Sequence, residues 1–265
     1  MSTQPKTVLT AYNTTTNAAA WYGRLFPSLS FYCGILPLVF KAMFIAQKGK
    51  LDAACLASLS FEAVTYLERS GVRLHIDGLE QIIALKRPVV VVANHMSTLE
   101  TFALPWLCAG FGATSFVVKE SLAQYPVFRH ALYSMQPICV TRTSPRQDLK
   151  TVLEQGAARL KAGRSVIIFP QTTRNVHFVP EQFTSIGAKL ASRAGAPLVP
   201  LALQTHAWGA GRLIKDLGGI YPQRPVYFQF GPPLFPTSDN AEAKVAHAAS
   251  IQFIAQQLAQ WNSGH

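Results

Sequence analysis

Residues 88–101 read PVVVVANHMSTLET. Four consecutive valines form an apolar β-branched run, which predicts a strand buried on both faces. Asn94 and His95 follow at its end. Ser97 or Thr98 then caps a helix continuing through Leu99, Thr101, Phe102 and Leu104. In α/β proteins the chemistry sits where strands end and helices begin. A histidine and a carboxylate, Glu100, stand at this junction.

His95 and Glu100 are five residues apart. Inside one continuous helix, at about 100° per residue, they would point roughly 140° apart. They meet only if His95 precedes the helix and Glu100 lies in its first turn. The carboxylate then accepts a hydrogen bond from one ring nitrogen, and the other is free to take a proton from a hydroxyl. Such an oriented base, with no side-chain nucleophile beside it, suits direct acyl transfer from a thioester to an alcohol. A structural reading competes: Ser97-Thr98-Leu99-Glu100 also fits a capping box, in which Glu100 reaches back to the N-cap amide.

Further buried strands are predicted at 114–120 (TSFVVKE), 137–142 (PICVTR), 165–170 (SVIIFP), 196–203 (APLVPLAL) and 224–231 (RPVYFQFG), with an alternating one at 72–77. Pro200 suggests an edge position or a bulge. Amphipathic helices are predicted over 51–69, 148–162 and 239–261. The fold class is α/β: a mixed, largely parallel sheet flanked by helices, with an N-terminal membrane-associated helical element. The division is 1–50 for the tail and membrane-associated segment, and 51–265 for the α/β domain. Residues 204–223 read as a packed surface loop, and residues 1–20 as disordered or a loose lead-in.

Of the 265 residues, 49% are hydrophobic and only 14% charged, a balance that fits membrane association. The formal net charge of +11 implies an anionic partner. Without a Lys/Arg-dense run, zinc-finger spacing or RNP-like motif, nucleic acid is the weaker reading of that partner, and a basic nucleic-acid-binding protein stays as a rival. The four cysteines lack CxxC spacing and read as buried, reduced thiols. No histidine–acid cluster has metal-ligand spacing. Residues 25–40 carry no charge but contain Pro27, Gly34 and Pro37. This run reads as a helical hairpin or interfacial segment dipping into one leaflet. A tilted transmembrane helix and a pair of core helices are the alternatives.

The NHMSTLE block, 94–100, resembles the NH-x4-D/E signature of the phospholipid/glycerol acyltransferases, and the resemblance extends over about residues 72 to 232. Lys119-Glu120, Pro126 and Phe128 resemble that family's next segment, and Arg142 its strand closing on an arginine. FPQTTR, 169–174, resembles FPEGTR, with Gln171 for glutamate and Thr172 for glycine; the Val-Pro at 199–200 resembles the fourth block. The resemblance implies that His95 and Glu100 are catalytic. It implies that Ser97, Lys119, Arg142, Gln171, Thr172, Thr173 and Arg174 bind substrate. In this scheme the two arginines hold the acceptor phosphate, and Ser97 or nearby helix N-terminal amides hold the oxyanion. The implied activity is O-acyl transfer from acyl-CoA or acyl carrier protein to a lysophospholipid, 1-acyl-glycerol-3-phosphate first, giving phosphatidic acid. No cofactor is implied beyond that thioester co-substrate. The partners are the lysophospholipid, the thioester donor, an anionic membrane surface and, with that donor, acyl carrier protein. The expected location is the cytoplasmic face of the inner (plasma) membrane. The departure at Gln171-Thr172 leaves room for another lyso-lipid acceptor. A non-catalytic lipid-binding protein of the same fold is the rival reading.

Overall fold

The computed structural model describes residues 10–15, 18–123, 129–171, 173–212 and 214–263. Pro126, Phe128 and Thr172 lie outside them, as do residues 1–9.

Among the described residues, eight strands form one sheet: β1 (Tyr12–Asn13), β2 (Leu74–Asp77), β3 (Val90–Ala93), β4 (Thr114–Lys119), β5 (Ile138–Val140), β6 (Ser165–Ile168), β7 (Leu198–Gln204) and β8 (Val226–Phe230). Their order is β1-β2-β8-β7-β3-β6-β4-β5. Neighbours pair in parallel except at β1–β2 and β7–β8. The expected mixed, largely parallel sheet is therefore the observed one.

The helices are α1 (Trp21–Leu25), α2 (Pro27–Gln47), α3 (Ala53–Arg69), α4 (Glu80–Ile83), α5 (Leu99–Leu107), α6 (Glu120–Ala123), α7 (Arg129–Ser134), α8 (Pro145–Lys161), α9 (Ile186–Ala194) and α10 (Asn240–Ser263). Two apolar layers cover the sheet, and the valine strand serves both. Val91 and Ala93 pack with Phe31, Val64, Leu67 and Leu104 of α2, α3 and α5. Val90 and Val92 pack with Val152, Leu190 and Ile254 of α8, α9 and α10. A strand buried on both faces has no polar alternation, which is why the four valines run unbroken.

Four expectations change. Of the four cysteines expected to be buried, Cys108 is, while Cys33 is exposed and Cys55 and Cys139 are half-buried. Tyr12–Asn13 is a strand on the sheet edge, where Tyr12 Oη and Thr14 Oγ1 both donate to buried Glu68. Residues 25–40 are not a hairpin: Pro37 lies inside the single helix α2. Pro200 is not at an edge, since β7 lies between β3 and β8. The bulge alternative has a counterpart. Leu198 pairs with Leu234 and Leu201 with Phe230, so the β8 side holds one extra residue over the span containing Pro200. The missing N–H of Pro200 falls where the ladder is already interrupted.

Candidate active site

β3, β4, β5, β6 and β7 run parallel, so their C-terminal ends share one rim of the sheet. His95 follows β3 and the 169–174 segment follows its neighbour β6. Asn94 is buried and prolongs the β3–β7 pairing beyond the strand. Its Nδ2 donates to the Leu203 carbonyl and its Oδ1 accepts from the Leu203 amide, each at 2.8 Å. That clamp fixes where the next residue, His95, leaves the sheet.

His95 precedes α5, and Glu100 lies in that helix's first turn, where the N-terminal dipole favours a carboxylate. Their side chains meet: His95 Nδ1 bonds Glu100 Oε2. Glu100 Oε1 accepts from the Met96 amide at 2.8 Å, the Ser97 amide at 2.9 Å and the Thr205 hydroxyl. Glu100 is fully buried, and these four donors offset the cost of burying a charge. One oxygen thus reaches back to the Ser97 amide and the other holds the imidazole, so the two contacts expected from the sequence coexist. An ionised carboxylate only accepts, so the proton sits on Nδ1 and the lone pair on Nε2. Among the described residues Nε2 has no hydrogen-bond partner. The ring stacks on Phe169 at 4.3 Å between centroids, which fixes its remaining rotation.

The segment after β6 locks the backbone of the same histidine. Gln171 Oε1 accepts from the His95 amide at 3.0 Å, and the Asn175 amide donates to the His95 carbonyl at 2.8 Å. Gln171 is only 1% exposed and its Nε2 has no partner among the described residues. Arg174 reaches back across β3. Its Nη1 donates to Thr98 Oγ1 and lies 2.6 Å from Asp216 Oδ1. Thr173 is exposed beside it.

The other candidates stand further off. Ser97 is buried, its amide is taken by Glu100, and its hydroxyl accepts from the Leu99 amide. The Ser97 and Met96 amides are therefore both taken by Glu100, while the Ser97 hydroxyl, accepting here, still has its O–H to donate. Lys119 is exposed at the end of β4, two strands from β3. Arg142 follows β5, three strands away, or about 14 Å at the usual strand spacing. Its backbone is left-handed at φ 62°, and its amide donates to Asp148 Oδ2 at 2.7 Å.

Sequence reasoning missed Thr98, Thr205 and Asp216. Thr205 and Asp216 belong to the 204–223 loop. Thr205 lies 105 residues from Glu100, and Asp216 lies 118 from Thr98 and 42 from Arg174, so no local pattern announces them. The same loop is bound to α2: Tyr32 Oη donates to the Gly218 carbonyl and the Ile220 amide to Ser28 Oγ. Trp208 is buried against Phe31 at 4.8 Å.

The site is a histidine–glutamate pair at the C-terminal rim of a parallel sheet with an arginine from the segment after the adjacent strand, and likeness to known proteins places the domain that carries it in the acyltransferase class. The family model described as Acyltransferase matches residues 73–204, and this stretch of the chain belongs to that family. Among its relatives, the 1-acyl-sn-glycerol-3-phosphate acyltransferase of Pseudomonas aeruginosa is 38% identical over 133 residues, half of each chain. The chloroplastic 1-acyl-sn-glycerol-3-phosphate acyltransferase of Arabidopsis thaliana is 28% identical over 142 residues, covering 54% of this chain and 38% of that one. The chain thus spans about half the length, or less, of these curated relatives. The crystal structure of PlsC, the 1-acyl-sn-glycerophosphate acyltransferase from Thermotoga maritima, superposes with a TM-score of 0.67. It is 20% identical, covering 89% of this chain and 96% of that one, and it shares the fold.

Proposed function

We propose that the chain transfers a fatty acyl group from a thioester to the hydroxyl of a lysophospholipid, with 1-acyl-glycerol-3-phosphate as the favoured acceptor and phosphatidic acid as product. The observation that carries this reading is the His95–Glu100 bond, which in the neutral ring turns the lone pair of Nε2 outward, with no hydrogen-bond partner among the described residues. Nε2 takes the proton of the acceptor hydroxyl as its oxygen attacks the thioester carbonyl. The C–O bond forms, the tetrahedral intermediate collapses, and the C–S bond breaks. The departing thiolate takes the proton back from His95, and Glu100 supports the transient imidazolium. Arg174, in the segment that follows the strand next to β3, binds the acceptor phosphate. Lys119 and Arg142 bind further along the rim, on the approach of either substrate. The names of the relatives favour this acceptor. The basic net charge suits an acidic carrier protein as well as the phosphates of CoA.

The membrane role falls to α1 and α2. A 21-residue helix is about 31 Å long, enough by length and composition to cross a bilayer. Phe31, Ile35 and Leu38, however, pack into the core, and Lys41 pairs with Glu62 of α3 at 2.9 Å. A helix held this way along one side lies in the interface. Trp21, Leu25, Phe26, Leu29, Phe40 and Phe44, all exposed, face the lipid. Arg24, Lys48 and Lys50 then meet anionic headgroups at the cytoplasmic face.

Thiol release from palmitoyl-CoA and from palmitoyl-acyl carrier protein, with a panel of lysolipids, tests the reading. The expected result is release that depends on 1-acyl-glycerol-3-phosphate, yields phosphatidic acid and is lost in His95→Ala. Lipid binding without release by the wild-type protein would favour the non-catalytic rival.

A further inference from the structure

Arg174 does not wait for its ligand alone. Its Nη1 is 2.6 Å from Asp216 Oδ1, and Thr98 Oγ1 links the two, bonding Arg174 and donating to Asp216 Oδ1 at 2.9 Å. Among the described residues, Nε and Nη2 make no hydrogen bond. The pair is neither deeply buried nor fully solvated: the side chains are 29% and 42% exposed. An anion approaching this guanidinium therefore meets a carboxylate already on it. It must displace Asp216 or bind beside it against like-charge repulsion, and either route costs affinity. Asp216 is not needed to aim Arg174, because the Thr98 hydroxyl, one residue before α5, holds the same nitrogen. Nor is Asp216 on a loose strand of chain. Its loop is tied to α2 through Gly218 and Ile220 and to Glu100 through Thr205.

We propose that Asp216 is a built-in counter-anion that competes with the acceptor's phosphate for Arg174 and so sets the acceptor affinity. This rests on the reading that Arg174 binds that phosphate. The strength of a half-exposed ion pair converts to about a two- to fivefold effect.

The experiment measures the KM for 1-acyl-glycerol-3-phosphate and for the thioester in wild type, Asp216→Asn, Arg174→Gln and the double variant. Binding of the same lysolipid to His95→Ala protein, with and without Asp216→Asn, reads the competition in the absence of turnover. Asp216→Asn is expected to lower the acceptor KM and Kd about two- to fivefold and to leave the thioester KM where it was. Arg174→Gln is expected to raise the acceptor KM, and adding Asp216→Asn to it should give no recovery. An acceptor KM that rises or stays level in Asp216→Asn overturns the proposal. Recovery in the double variant also overturns it, because the competition would then lie elsewhere than Arg174. If Arg174→Gln alone leaves the acceptor KM unchanged, the phosphate role of Arg174 falls and takes the proposal with it. If no variant releases thiol, the binding measurement still decides the competition while the acyl-transfer reading fails.

Discussion

Glu100 does two jobs with its two oxygens, and they can be separated. In Glu100→Gln the amide oxygen can still accept from the Met96 and Ser97 amides and from Thr205, so the helix start survives. The amide NH2 then faces His95 Nδ1 and donates to it, which moves the ring proton to Nε2 and removes the base. Turnover is expected to fall about 10²- to 10⁴-fold with the circular dichroism spectrum unchanged. Rates within a few-fold of wild type would show that orientation of the imidazole does not matter. Thr205→Val keeps the shape and deletes one donor to a buried carboxylate. It is expected to cost about 1–3 kcal/mol of stability by denaturant titration.

At the scale of elements, α9 is pressed against the valine strand. A Cβ built on Gly187 would sit 2.2 Å from Val92 Cγ1, three residues before His95. Gly187→Ala must push α9 or β3 aside, with an expected loss of about 1–3 kcal/mol and reduced turnover. A wild-type melting temperature in that variant would show that the contact yields freely. Helix α2 illustrates an opposite balance. An internal proline costs about 3 kcal/mol, but Phe31, Ile35 and Leu38 each gain roughly 1.5–3 kcal/mol by burial, so the helix runs through Pro37. Its outer face has no such partner. Replacing Leu29, Phe40 and Phe44 together by serine should abolish co-sedimentation with anionic vesicles while the thermal transition persists. Retained co-sedimentation would move the lipid contact to another face.

Over the whole molecule, acid should loosen the fold through two half-buried histidines. Burial first, then Arg224, lowers the pKa of His206; burial first, then Lys189, lowers that of His247, which stacks on Phe183. Both bind a proton more readily unfolded, near pH 6.5, than folded. Their contribution is therefore fully present above about pH 6.5 and is lost as pH falls through the lower folded values. The melting temperature is expected to drop between pH 7 and pH 5, and His247→Phe, which keeps the stack, should reduce that drop. A drop of equal size in the variant would remove His247 from the account.

The sequence by itself determined the strand–histidine–helix junction and the largely parallel sheet, while only its resemblance to the acyltransferases singled out Gln171, Thr173 and Arg174. The junction and the sheet rest on short-range patterns: unbroken valines, the five-residue spacing and strand runs that end on polar groups. Tertiary structure alone decided which groups complete the site. Thr205 reaches Glu100 and Asp216 reaches Arg174 because β7 lies beside β3 and its following loop folds back over the rim. It also decided that α2 stays in one piece and that Pro200 sits mid-sheet. In each case the deciding free energy came from partners distant in the chain, which local propensity does not contain.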